Sequence, residues 1–456
     1  MDTPETQAAG GQPPEGAQSR WIRYLIFLAL AFPAFLPFNY VYRFGVNVPF
    51  FDQWEFVPTL VDFYEGRLTL EALFAQHNEH RIFFPRLIML GLAALTRWNT
   101  VAEMYFNAAL LVALGAVLLH AHVRAYGASN RSLIAFLPIA WLVFTFRQYN
   151  NLIWGWQIQI TLCVLFSVLS LLLLDGTRGL GARWAGATGA AFVASFSFGS
   201  GMAIWPVGLI ALLWQGRLEG RTAWRAVLGW SVAGTLAVVL YTWNRHSNFD
   251  HPDPWTFLRS PGDSFLFMLG ALGAVTADTF PTAMAFGALF LAGLGVIAFE
   301  LRRRRVEQGP TTFALGLVLY AGAAAVLVLI SRAGYGREYG LSSRYTTFTV
   351  LAFVGLHRAL LALQAPERRS LLMGVVLSAA MISGFWSFTT GISEGLHERK
   401  QMRVNRAIVR TFATQPEGEL QRLFPYPAVV RQNAPGLQRH ELSVFAPGQE
   451  APREAQ

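Results

Sequence analysis

Two acids, Asp52 and Glu55, stand three residues apart in the run Pro49-Phe50-Phe51-Asp52-Gln53-Trp54-Glu55-Phe56. On a helix that spacing sets both carboxylates on one face, a turn apart. The rings of Phe50, Phe51, Trp54 and Phe56 suit a membrane–water boundary, where aromatic side chains concentrate. A carboxylate held against apolar rings is partly desolvated, so its pKa is expected to rise and it becomes a better general base. The same spacing also fits a capping box, with Asp52 closing the N-terminus of the next helix and Glu55 solvated in its first turn. Base and cap both stand at this point.

A second cluster follows in Gln76-His77-Asn78-Glu79-His80-Arg81. His77 and His80 with Glu79 between them make half of a metal site. Zinc helices usually space their histidines at i and i+4 with another ligand downstream; here the spacing is i, i+3 and no third ligand is evident. The simpler reading takes His77, Glu79, His80 and Arg81 as polar groups that hold a sugar or a phosphate. A divalent cation, Mg2+ or Mn2+, on Asp52, Glu55 and His80 is the alternative. Cys163 is alone in an apolar run, which excludes a disulfide framework and a thiolate metal site.

These residues must be positioned by a membrane protein. Of 456 residues, 54% are hydrophobic and 14% charged, against about a quarter charged in soluble domains. The apolar residues fall in blocks of roughly 20, the length that crosses a ~30 Å hydrocarbon slab. The composition excludes an ordinary cytosolic enzyme, a disordered chain and a fibrous one. The net charge is +9, and Lys400 is the one lysine. The arginines gather in short breaks at 120–131, 175–183, 215–225, 302–308 and 366–370, as the positive-inside rule expects of cytoplasmic loops. That pattern accounts for the basic charge without a nucleic-acid partner.

Alternation from those breaks predicts an all-α, polytopic transmembrane bundle of about eleven spans. Residues 1–20 read as a disordered cytoplasmic tail, 21–390 as the bundle, 41–99 as its first outer loop, and 391–456 as a C-terminal tail on the outer, periplasmic side. Two apolar stretches, 82–95 and 265–279, are too short to cross and are expected as interface helices packed on the bundle.

Further outer segments could complete a site. Arg147, Asn151, Trp154 and Gln157 supply a guanidinium, amides and an indole, a set that binds phosphate and stacks on a sugar ring; an interfacial aromatic belt explains them equally well. Residues 195–202 (SFSFGSGM) favour tight helix packing. Asn244, Arg245, His246, Asp250, His251 and Asp253 read as a solvated loop, with contact to a substrate as the alternative. Arg344 and Tyr345 head the next span, where Arg344 either neutralises a phosphate or snorkels to headgroups.

The order of these features is similar to that of the GT-C superfamily of integral-membrane glycosyltransferases, such as protein O-mannosyltransferases and lipid A aminoarabinose transferases. The shared features are an acid just after the first span, a Gly66-Arg67-Leu68 turn, a His-rich segment leading into an apolar interface helix, and the Arg97-Trp98-Asn99 turn before the second span. The resemblance covers roughly residues 20–125 and the general topology. Asp52 takes the position of the family's acid. Gln53 stands where a second acid is usual, and Pro85 stands alone where twin prolines are common. The resemblance implies a bacterial inner-membrane enzyme with a polyprenyl-phosphate-linked sugar as donor. Its acceptor would be a cell-envelope glycan, a lipid or a protein, reached from the periplasmic face, and membrane lipids would surround it. A glycan ligase or polymerase, a transporter or flippase, and an assembly factor are the rival readings. The near absence of Asp, Glu, Lys and Arg from the spans argues against transport.

Overall fold

The computed structural model describes residues 17–246, 252–303, 309–363 and 366–448. The expected tail largely precedes this range, and Asp250 and His251 lie outside the described residues; residues 17–20 are already helical.

The architecture is all-α. α1 (Ala17–Phe44) leads into the first loop, which folds into α2 (Gln53–Tyr64), the one-turn α3 (Leu70–Phe74), a two-strand hairpin and α4 (Phe83–Thr96). In the hairpin, β1 (Gln76–His77) pairs antiparallel with β2 (His80–Arg81), His77 opposite His80. α5 (Thr100–Tyr126), α6 (Asn130–Val143), the short α7 (Tyr149–Ile153) and α8 (Ile158–Leu174) follow. Next come α9 (Ala182–Ser195), α10 (Ile204–Leu218), α11 (Trp224–Thr242), the one-turn α12 (Thr256–Arg259) and α13 (Pro261–Gly273). The bundle closes with α14 (Phe280–Arg303), α15 (Gly309–Arg332) and α16 (Thr346–Leu363). α17 (Pro366–Arg410), α18 (Glu417–Leu420) and α19 (Pro427–Arg439) end the chain.

Among the described residues, eight helices are long and apolar enough to cross a membrane. The three other expected crossings fall on α9, α10 and the front of α17. α9 and α10 have 14 and 15 residues, so at about 1.5 Å per residue each is shorter than the slab by itself. The stretch 82–95 forms α4 as expected: Met89, Leu90 and Ala93 are buried, while Leu87 and Leu95 face outward. The stretch 265–279 forms most of α13, seated against α14 where Gly273 and Gly287 let the two backbones touch.

The C-terminal segment departs most from expectation. α17 runs 45 residues, straight through the anticipated boundary at 390. Beyond it the chain folds back onto the first loop and shares one core with it. Trp54, Phe56 and Leu60 of α2 and Met89 of α4 pack with Leu423, Val430 and Leu437. The backbone is stitched as well: Phe51 N donates to Leu423 O (2.9 Å) and Ser443 N to Arg97 O (2.8 Å). Asn433 Nδ2 donates to the Trp54 carbonyl at 2.9 Å. The first loop and the C-terminal segment therefore stand at the same end of the bundle. Leu437 is fully buried in that core; Leu437→Ala should cost about 2–5 kcal/mol, from lost transfer energy and the cavity left behind. A lower melting temperature of the purified protein, with faster proteolysis of the first loop, is the expected readout.

Candidate functional site

The turn before α2 presents Asp52. Phe51 takes φ 48°, a left-handed value that a bulky residue rarely adopts. It is held there by its bond to Leu423 O and by Trp54 N, which donates back to Phe51 O at 2.9 Å. Gln53 fixes the same turn from inside. Its Oε1 accepts from Phe50 N (3.1 Å) and its Nε2 donates to Glu103 Oε2 (3.0 Å). The other Glu103 oxygen accepts from Trp98 Nε1 (3.0 Å), so one buried carboxylate on α5 braces both the Asp52 turn and the Trp98 turn.

Asp52 occupies the cap position of α2 but its side chain makes no capping hydrogen bond. The carboxylate faces His77 instead: Oδ2 lies 3.7 Å from Nε2, while Nδ1 of the same ring lies 3.1 Å from Glu55 Oε2. Trp156 meets the ring edge-on at 5.0 Å between centroids. Burial pulls the His77 pKa down, but the two carboxylates outweigh it and hold the ring protonated, with a pKa of about 9. For Asp52, burial pushes up, yet the polar contact and charge of His77, with the charge of Arg344, bring its pKa below the usual carboxylate value. The expected rise is thus reversed, because the carboxylate faces cations as well as rings.

Linkage gives a sign. A pKa raised in the fold stabilises it fully below the unfolded value near 6.5. That contribution is lost as pH rises through about 9. The wild-type melting temperature should fall between pH 7 and 10, and His77→Gln should flatten that slope.

On the other side of the hairpin lies a cavity of about 730 Å³. Its polar wall carries Glu79, His80, Arg245, His246 and Arg332; Leu327, Val328 and Ile330 of α15 form an apolar wall. Glu79 Oε1 pairs with Arg332 Nη2 at 2.5 Å, and the Glu79 carbonyl accepts from Tyr241 OH at 3.0 Å. His80 Nδ1 accepts from Gly199 N at 3.2 Å, which leaves the ring proton on Nε2, 3.5 Å from Glu79 Oε1. Burial lowers the His80 pKa to about 4, so this imidazole is neutral beside a protonated one.

Tyr345 also lines the cavity. Arg344 donates to Tyr339 OH at 2.7 Å and lies 5.9 Å from the Trp154 ring. Asp52 is outside the cavity wall, but its charge acts on Arg344 and on His80.

Several expected ligands make contacts within the scaffold. Arg81 donates to the backbone carbonyls of Phe74, Tyr241 and Trp243 and ties the hairpin to the end of α11. Arg147 is buried and donates Nε to Ala274 O at 3.1 Å. Asn151 donates to Arg344 O (2.9 Å) and Thr347 Oγ1 (2.7 Å), so its amide nitrogen braces the Arg344 turn. Gln157 is buried outside the cavity wall. Arg81 and Arg147 spend guanidinium nitrogens on backbone carbonyls, whereas Asn151 Oδ1 and Gln157 Oε1 are buried without a hydrogen-bond partner among the described residues. Arg332 was not singled out as a ligand by the sequence, which favours a solvated loop for Arg245 and His246; Arg332 ends an apolar span as any snorkelling arginine would.

Asp52, Glu55 and His80 do not close into a metal-binding group, and no three His, Cys, Asp or Glu do so among the described residues. The protonated His77 stands between the two carboxylates that would lead such a set.

Fold and site together define a multi-pass, all-α membrane protein with a charged cavity and the Asp52–His77–Glu55 cluster at one end of the bundle. No family model matches the sequence, and no curated protein matches it. Among solved structures the chain is similar to the oligosaccharyltransferase of Archaeoglobus fulgidus, determined as a complex with Zn and sulfate. The identity is 14% and the TM-score 0.42, over 87% of this chain and 56% of that one. The chain thus spans about half the length of that protein.

Proposed function

We propose that the protein is a membrane glycosyltransferase of the GT-C type, using a polyprenyl-phosphate-linked sugar in the bacterial inner membrane. Its N-terminus is cytoplasmic and its C-terminal segment periplasmic. The observation that carries the reading is the cavity whose wall changes from the apolar Leu327, Val328 and Ile330 to the cations Arg332 and Arg245. An anionic group on a long hydrocarbon chain needs such a pairing.

In this reading the acceptor hydroxyl, on an envelope glycan, lipid or protein, attacks the anomeric carbon as the bond to phosphate oxygen breaks. The bonding pair leaves with the phosphate, and the hydroxyl proton passes to Asp52. A direct displacement inverts the anomeric carbon. Asp52 is a weak base, which suffices because the hydroxyl becomes strongly acidic once its oxygen has begun to bond to carbon. Arg332, with Arg344 nearby, stabilises the charge gathering on the departing phosphate. A phosphate monoester already leaves well, so positioning and charge supply most of the rate.

The test is release of polyprenyl phosphate by the purified protein in lipid nanodiscs, with a panel of polyprenyl-phosphate sugars, acceptors and EDTA. Sugar-dependent release is the expected result; no release with any donor sinks the proposal. Transfer that persists in EDTA is expected where His77 supplies the positive charge between Asp52 and Glu55. Loss in EDTA, with recovery on Mg2+ or Mn2+, would instead mean that the carboxylates give up His77 for a metal.

A further inference from the structure

A second large cavity lies at the opposite end of the bundle. α10 starts at the Gly199–Ala203 turn beside His80 and runs away from it to Leu218; α11 starts at Trp224 and returns to Tyr241 on the cavity described above. At about 1.5 Å per residue these helices separate the two cavities by roughly 20 Å. The remote cavity measures about 940 Å³, and its wall includes Arg178, Arg221, Arg225, Gln215, Glu219 and Trp224.

The acid and the amide there are already engaged. Gln215 Oε1 accepts from Gly176 N (3.2 Å) and Gln215 Nε2 donates to Glu219 Oε1 (3.1 Å). Arg178 Nε lies 3.4 Å from Glu219 Oε2. One carboxylate therefore faces three guanidinium groups and is matched by the first of them. Arg221 and Arg225 are exposed and meet no carboxylate among the described residues.

An apolar track leaves this cavity along α11. Trp224, Leu228, Val232, Leu236 and Val239 are exposed at steps of three or four residues, so they form one stripe on the helix surface. An indole at the head of such a stripe, beside arginines, has the chemistry of a headgroup boundary. A soluble phosphate would use the arginines but not the stripe; a zwitterionic lipid would use the stripe but gain little from the uncompensated charge.

We infer that this cavity binds the headgroup of an anionic glycerophospholipid, its phosphate on Arg221 and Arg225 and an acyl chain along the α11 stripe. Basic pockets between helices on the cytoplasmic side suit such headgroups. The assignment is independent of the chemistry proposed at Asp52.

The test uses the delipidated full chain in detergent, titrated with dioleoyl phosphatidylglycerol or dioleoyl phosphatidylcholine and read by native mass spectrometry. The expected result is preferential retention of one phosphatidylglycerol. The double variant R221Q/R225Q should weaken it roughly 30-fold, and R221K/R225K should keep most of the affinity. Both positions are exposed, and an unchanged melting temperature of the lipid-free variants checks that they fold. Equal retention of phosphatidylcholine, or equal binding by the glutamine variant, overturns the inference. So does full displacement of the lipid by millimolar inorganic phosphate, which would make the site one for soluble phosphate. Preference for polyprenyl phosphate over phosphatidylglycerol overturns it too.

Discussion

Asp52→Asn should abolish sugar transfer, lowering kcat by about 10²- to 10⁴-fold, the range of a positioned acid–base group. The substitution leaves the start of α2 intact, because the Asp52 side chain closes no hydrogen bond there, and the melting temperature measures what the lost His77 contact costs the fold. Asn has nearly the same shape and could still accept from an approaching hydroxyl, but it cannot take the proton. Glu55 stays 3.1 Å from His77 Nδ1, so the ring keeps one of its two acidic neighbours. Its pKa should then fall from about 9 toward the ordinary histidine value, which NMR titration of the labelled ring would detect. Mass spectrometry of envelope glycans supplies the cellular readout. A deletion strain should lose one sugar mass that wild type restores and Asp52→Asn, at equal expression, does not. Full restoration by the asparagine variant would remove Asp52 from the reaction and favour the scaffold or transporter readings.

The second large effect belongs to Arg332. Its guanidinium is held at 2.5 Å by Glu79 on the cavity wall. Arg332→Gln should reduce kcat about 10²- to 10³-fold, as removal of a preorganised charge at a developing anion does elsewhere. A single change also takes from Glu79 its Arg332 partner, and breaking one half of a buried ion pair costs stability by itself. The informative comparison is therefore the cycle of Glu79→Gln, Arg332→Gln and both together. If the pair only holds the hairpin to α15, the double variant regains activity along with its melting temperature. If Arg332 neutralises the leaving phosphate, the double variant regains stability and stays inactive. Recovery of transfer would end its assignment to the donor.

The sequence made the first loop conspicuous because charged and aromatic residues alternate there in an otherwise apolar chain. That contrast is a property of composition and needs no coordinates. It could not tell whether the Asp52 side chain caps α2, since cap and base share one spacing; the structure shows no capping bond and sets the carboxylate beside His77, which sits on a hairpin. The pKa direction was missed for the same reason. Burial against Phe50 and Trp54 is visible in the chain, whereas the opposing charge of Arg344 comes from a distant helix end. Arg332 carries no local signal at all, because its partner Glu79 belongs to the other half of the chain. The C-terminal fold-back left a trace: Val430, Ala434 and Leu437 recur at helical spacing in a polar segment. Read alone, they suggest a short amphipathic helix and say nothing of its partner.

The fold-back also sets a clock for biosynthesis. The residues that complete the first loop are made long after it: Asn433 bonds to the carbonyl of Trp54 across 379 positions, and Ser443 to Asn47 across 396. At about 5–20 residues per second, the ribosome needs roughly 20–80 s to cover that distance. Throughout that interval the aromatic face of α2 is delivered without its cover and must rest on the bilayer surface or on a chaperone. The Asp52 end of the bundle is then closed only after the intervening spans have been made, and a chain that stops before Leu423 leaves the Asp52 turn without the carbonyl that holds it.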